Sequence, residues 1–147
     1  TFEAAAFLRR CGADITYVRK IFRDDLESYR YKAEIISNAE VFHDEFAIAQ
    51  CVNRDIESPT IIGAQAANEL LNIKGVKASF VLTEYQNQIF VSARSIDEIN
   101  VQVIMEKLGG GGHQTMAAAQ IPDVSLEEAA ELLLKAIDSR EEELENE

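Results

Sequence analysis

Between Ile15 and Ile36 the apolar positions Ile15, Val18, Phe22, Leu26, Tyr29, Ala33 and Ile36 recur every three or four residues. That spacing predicts one long amphipathic helix docked along a single side, with Arg19, Arg23 and Asp24 turned to water. A shorter amphipathic stretch, Phe2 to Cys11, precedes it and ends at Gly12. From Phe46 to Val52 the pattern shortens to that of a strand. Ser58 and Pro59 then supply an N-cap and a first-turn proline, opening a helix to about Ile73. Ala78 to Thr83 and Gln88 to Ser95 are rich in β-formers and flank the polar turn Glu84-Tyr85-Gln86-Asn87, which predicts a hairpin. Helical spacing returns from Glu98 to Leu108, in Val101, Ile104 and Leu108, and glycines stop it. Met116 to Ile121 suits a short buried strand. Ser125 and Glu128 form a capping box for a last helix whose inner face carries Leu126, Ala129, Ala130, Leu133 and Ile137.

The resulting order is helix, helix, strand, helix, strand, strand, helix, strand, helix, with no internal repeat. It defines an α/β (α+β) domain: a mixed β-sheet of about four to five strands covered by helices, preceded by a long connector helix. A length of 147 residues, 47% of them hydrophobic, suffices for one compact domain with its own core. Residues 1–43 read as connector helices, 44–140 as the domain and 141–147 as an acidic tail. Cys11 and Cys51 lie in no metal-binding or redox spacing, and are expected as buried, reduced thiols of a cytosolic protein. No apolar run reaches the length needed to cross a bilayer, and no signal-peptide pattern opens the chain. It begins at Thr1, already inside the first amphipathic stretch, which suggests a segment of a longer protein.

Charge narrows the partners. Twenty-six acidic against 14 basic residues give a net charge of −12, which argues against a long nucleic-acid duplex. Five of the last seven residues, Glu141 to Glu147, are glutamates, the composition of a solvated helix end.

Four of the seven glycines stand together in Gly109-Gly110-Gly111-Gly112, followed by His113. Bare backbone amides can close on an anion, and a histidine beside them can donate to phosphate or move a proton. The run leaves a helix and enters a strand, which is the reverse of a Walker or dinucleotide fingerprint. The small residues Ala117, Ala118 and Ala119 would let a ligand or a backbone approach the glycines. A second constellation is Ser92-Ala93-Arg94-Ser95 at the end of a strand, with Asn100 soon after. Arg94 suits phosphate through its planar fork, Ser95 can add a hydroxyl, and Asn100 can contact a ribose or base or merely cap a helix. Tyr85 reads as an exposed turn residue that could serve as a base platform. His43-Asp44-Glu45 reads as a polar turn before a strand, not as a metal site.

Together these pieces resemble a known family. The run VSARSIDEINVQVIMEKLGGGGHQTMAAAQI is similar to the signature of the DHH-associated domain, the C-terminal substrate-binding half of DHH-family phosphoesterases, and the resemblance spans Phe46 to Asp138. Within that superfamily the chain is more similar to the GdpP (YybT-like) cyclic-di-AMP phosphodiesterases, whose stretch leaving the catalytic domain resembles TFEAAAFLRRCGAD. One departure concerns the usual His-x-x-Ala-Ala-Gly: here Met116, Ala117 and Ala118 occupy the last three places, so the strand behind the loop is bulkier.

The resemblance implies substrate contacts at Arg94, Ser95, Asn100, Gly110, Gly111, Gly112 and His113, with His113 also placed to assist a leaving oxygen. It implies a parent enzyme that hydrolyses cyclic-di-AMP to linear pApA with Mn2+ held in a DHH domain in cis, so that residues 1–43 would include the end of that domain and this piece alone would be inactive. It implies a cytoplasmic domain of a parent anchored in the membrane. Three alternatives stay open: an oligoribonuclease or RecJ-like half acting on short oligonucleotides, a noncatalytic nucleotide-sensing module, and a structural oligomerisation domain. A homodimer is likewise open.

Overall fold

The computed structural model describes residues 1–52, 56–96 and 99–145. Six helices and six strands follow in the order α1 (Phe2–Arg10), α2 (Ile15–Ile21), α3 (Leu26–Ser37), β1 (Glu40–Phe42), β2 (Phe46–Cys51), α4 (Pro59–Leu70), β3 (Ala78–Tyr85), β4 (Gln88–Ser95), α5 (Val101–Lys107), β5 (Gly111–His113), β6 (Met116–Pro122) and α6 (Leu126–Glu145). The α/β class is as expected, and the strand count is higher by the two three-residue strands β1 and β5.

The long connector helix is not formed. Phe22 closes α2, and Asp25 starts α3 from an extended conformation (φ −69°, ψ 163°). Its carboxylate accepts from the amides of Glu27 and Ser28, both at 2.9 Å, and from the Ser28 hydroxyl at 2.6 Å. A side chain that caps a new helix competes with continuation of the old one. The helical phase therefore restarts, and α3 buries Tyr31 and Ile35 while Leu26 and Tyr29 stay exposed. Helices α1 and α2 bury no residue and leave Phe2, Phe7, Ile15, Ile21 and Phe22 exposed. Cys11 is exposed as well, contrary to expectation, whereas Cys51 is buried. Gly12, at φ +97°, ends α1 as expected.

The sheet runs β1-β2-β3-β4-β6-β5, with β2 and β3 parallel and the other neighbours antiparallel. Helix α4 makes the crossover between the parallel strands. Ser58 precedes it in a left-handed conformation and makes no side-chain cap, so Pro59 alone carries the start signal. On one face α5 and α6 cover Phe46, Phe80, Leu82, Ile89, Val91, Ala93, Ala117 and Ala119. On the other α3 and α4 cover Ala47, Ala49, Cys51 and Val81. The predicted capping box holds α6: Glu128 N–H donates to the Ser125 hydroxyl at 3.1 Å, and Ser125 N–H to the Glu128 carboxylate at 2.8 Å.

Cover on the α4 face fades across the sheet. The first six residues of β3 are buried on both faces, β4 alternates partly and fully buried residues, and β6 alternates exposed and buried ones. The half of that face over β4, β6 and β5 is the less covered part of the sheet.

Candidate functional site

Register decides which side chains share the open face. Alternate residues of a strand point to opposite sides. Ile89, Val91 and Ala93 point into the α5/α6 core, so Phe90, Ser92 and Arg94 point the other way. Arg94 pairs with Met116, and Met116 with His113, so these three form one row across the face. Arg94 and His113 are two strand spacings apart, about 10 Å at the backbone. The next row is Ser92, Ala118 and Gly111, and beyond it lie Phe90 and Gln120. Met116 is 53% exposed between the two polar side chains.

Arg94 is half-buried and held by neutral groups. Its Nε donates to Oδ1 of Asn68 on α4 at 3.0 Å, and Nη1 donates to its own neighbour's carbonyl, Ala93, at 2.8 Å. Burial lowers its pKa from the ordinary guanidinium value, with desolvation the sole cause. Among the described residues no carboxylate pairs with it. A partly desolvated guanidinium that has no carboxylate partner and an uncommitted Nη2 among the described residues is chemically suited to an anion, which would complete its hydrogen bonding and balance its charge.

Ser95 lies on the other side of β4, buried. Its hydroxyl donates to the Ile99 carbonyl at 2.6 Å and lies 3.3 Å from the Gln114 carbonyl, and its N–H donates to Thr115 O at 3.0 Å. The Val101 N–H donates to Gln114 O at 2.9 Å. These bonds fasten the turn after His113 to the end of β4. Asn100 caps α5, accepting from Gln102 N–H at 3.1 Å. Of the expected site residues, Arg94, Gly111 and His113 therefore share the open face, while Ser95 and Asn100 are engaged in holding the loop and helix beside it.

The glycines divide by physical cause. Gly109, at φ +75°, ends α5, its N–H donating to Glu106 O, and the Gly110 N–H donates to Met105 O at 2.8 Å. Those two amides belong to the helix terminus. A Cβ on Gly110 would lie 2.1 Å from Ala118 O, and one on Gly112 2.5 Å from Ala117 Cα and Met116 O, so both are glycine because the chain from Gly110 through β5 presses on the backbone of β6. The small strand Ala117-Ala118-Ala119 thus admits a backbone. Gly111 is different: a Cβ there meets nothing within 4 Å, and its φ is not in the left-handed region.

Tyr85 is not an exposed turn residue. The turn is only Gln86-Asn87, both left-handed (φ 50° and 61°), and Tyr85 ends β3 partly buried, its ring 6.2 Å from that of Phe90. His43 and Asp44 form the β1–β2 turn, and His43 Nε2 lies 3.3 Å from Asp138 on α6. Among the described residues no group of three or more His, Cys, Asp or Glu stands close enough to hold a metal ion, and no helix is long and apolar enough to cross a membrane. The expected helix start at Glu98 lies outside the described residues. Asn68, the acceptor for Arg94 Nε, is the contact at this face that the sequence did not disclose.

Fold and face together define a three-layer α/β domain that offers, beside a glycine hairpin, an arginine with no carboxylate partner among the described residues. Residues 44–143 match the DHHA1 domain family, and the chain belongs to it. It is 45% identical over 140 residues to the cyclic-di-AMP phosphodiesterase PdeA of Listeria monocytogenes serotype 1/2a (strain 10403S), covering 95% of this chain and 21% of that protein. It is 44% identical over 138 residues to the cyclic-di-AMP phosphodiesterase GdpP of Geobacillus thermodenitrificans (strain NG80-2), covering 93% and 21%. The chain thus spans about a fifth of the length of these curated relatives. Among solved structures, an exopolyphosphatase-related protein from Bacteroides fragilis shares the fold, with a TM-score of 0.83 at 22% identity over 98% of this chain and 44% of that one.

Proposed function

We propose that this chain is the substrate-binding C-terminal domain of a phosphodiesterase that hydrolyses cyclic-di-AMP to linear pApA. The observation that carries the proposal is Arg94: a half-buried guanidinium held in place by an amide and a carbonyl, with no carboxylate among the described residues to neutralise it. The names of the relatives supply the substrate class.

One phosphate of the dinucleotide sits on Nη2 of Arg94. The second lies toward His113, which donates to a phosphate oxygen, and a separation of about 10 Å between the two backbones lets their side chains converge on a two-phosphate ligand. Gly111 presents no side chain between them, so the sugar-phosphate chain can approach β5 closely. Binding at this face orients the scissile bond for attack elsewhere. Residues 1–43 lead from a preceding DHH domain in cis, where manganese would activate water. Exposed Phe2, Phe7, Ile15 and Phe22 are the surface offered to it.

Calorimetric titration with cyclic-di-AMP, with its linear product and with cyclic-di-GMP as control, tests the proposal. Binding of the adenine dinucleotide that is lost in an Arg94→Ala, His113→Ala double variant of unchanged circular dichroism is the expected result. Equal affinity in wild type and variant would overturn it.

A further inference from the structure

Arg94 is held by a side chain from a distant part of the chain. The Ser79 hydroxyl of β3 donates to the Ala67 carbonyl of α4 at 2.6 Å, and Ser79 pairs with Arg94 in the sheet. This bond pins one turn of α4 above that row, and the next residue, Asn68, reaches over β4 to accept from Arg94 Nε. The second anchor, Ala93 O, takes one hydrogen of Nη1. With Nε and one side of Nη1 engaged, the rotations of the long side chain are restricted, and among the described residues Nη2 and the remaining Nη1 hydrogen have no partner and are left for a ligand.

We infer that Asn68 is a positioning residue for substrate binding, one that fixes the Arg94 fork while leaving its charge uncompensated. This rests on the substrate-binding reading given above. The chemistry of the partner matters more than its presence. An aspartate at the same place would accept the same hydrogen bond but form an ion pair and occupy the charge that the phosphate needs. An amide oxygen has the geometry without the countercharge. Among the described residues no carboxylate pairs with Arg94, and a neutral acceptor at this contact keeps the arginine available to an anion.

The test compares Asn68→Ala, Asn68→Asp and Arg94→Ala, titrated with cyclic-di-AMP and with inorganic phosphate, and follows the Arg94 Nε–H resonance by NMR. Asn68→Asp should fold as wild type, retain a protected Nε–H and yet bind at least about tenfold more weakly, the scale of removing one charge-assisted hydrogen bond. Asn68→Ala should weaken binding about three- to tenfold, with faster exchange of the Nε–H, because the fork must be immobilised at binding. A residue of merely structural importance would be spared by the isosteric Asn68→Asp change, which keeps the bond. If Arg94→Ala abolishes binding while both Asn68 variants bind like wild type, the positioning role is refuted and the binding face stands. If Arg94→Ala also binds like wild type, the face itself is misassigned and the inference falls with it.

Discussion

Alanine scanning of the four glycines separates packing from ligand approach. At Gly110 the new methyl would meet Ala118 O at 2.1 Å and both Cα and Cβ of Ala119 at 2.7 Å. None of these is the end of a flexible side chain, and β6 is held on its other edge by β4, so it cannot retreat without disturbing the sheet. Overpacking of this kind costs about 1–3 kcal/mol. At roughly 3 °C per kcal/mol for a chain of this size, the midpoint of thermal unfolding should fall by about 3–9 °C. Gly112→Ala should cost at least as much, because its methyl meets two backbone atoms at 2.5 Å and its φ is +152°. At Gly111 the methyl meets nothing, and reduced freedom of the unfolded chain should stabilise the fold by about 0.4–1 kcal/mol.

On the proposed function, the same Gly111 variant should bind cyclic-di-AMP at least about tenfold more weakly, since its methyl would project from the open face where the ligand backbone is proposed to pass. Differential scanning calorimetry and isothermal titration on the four single variants give both numbers. The reasoning is refuted if Gly111→Ala lowers the midpoint as much as Gly110→Ala, which would mean that the open space is filled in solution. It is equally refuted if Gly111→Ala is stable and binds like wild type, because the one glycine of the four with neither a packing nor a conformational reason would then have no binding reason either.

Three further outcomes follow from individual contacts. Ser125→Ala removes the hydroxyl that accepts from Glu128 N–H and should lower stability by about 1 kcal/mol, read as a shift in urea midpoint at unchanged slope. Among the described residues the Thr83 hydroxyl, buried beneath Gly63, has no partner, so Thr83→Val should be neutral or stabilising by up to about 1 kcal/mol, the desolvation cost removed offsetting the tighter methyl contact. Asp25 has a pKa lowered from 3.8, chiefly by the Ser28 hydroxyl and then by the Ser28 amide, so its cap on α3 is fully made above that value and is lost as pH falls through the lower folded value; NMR titration of the Ser28 amide should report its midpoint below 3.8.

Much of the fold was legible because its signals are local. The Ser125/Glu128 box, the hairpin of β3 and β4 and the inner face of α6 each depend on residues within a few positions of one another. Failures came where a local signal was overridden or absent. The apolar spacing from Ile15 to Ile36 is genuinely helical in period, but Asp25 satisfies new helix amides and resets the phase, which a count of apolar positions does not register. Strands β1 and β5 are each only three residues long, too short to show an alternation: β1 is Glu-Val-Phe beside a turn, and β5 is Gly-Gly-His, with no strand propensity, paired to β6 through bare backbone. The motif's residue types were legible too, but its division of labour was not. Arg94 and Ser95 are neighbours in sequence and sit on opposite faces of one strand, so only Arg94 reaches the open surface while Ser95 ties down the turn after His113.

Asn68 shows why such a site cannot be read from its motif alone. It stands 26 positions before the arginine it holds, in a helix whose sequence announces only apolar packing. What brings it there is the Ser79 hydroxyl on Ala67 O, a bond between a buried strand serine and a helix backbone. Removing that bond should therefore act on ligand binding as well as on stability. Ser79→Ala leaves the Ala67 carbonyl without its Ser79 donor and should cost about 1–3 kcal/mol of stability. If α4 loosens over the row, it should also raise the dissociation constant for cyclic-di-AMP in the way Asn68→Ala does, with no further weakening in the Ser79→Ala, Asn68→Ala double variant. Additive effects on binding in that cycle would mean that the two residues act independently, and that the serine supports the core without orienting the arginine.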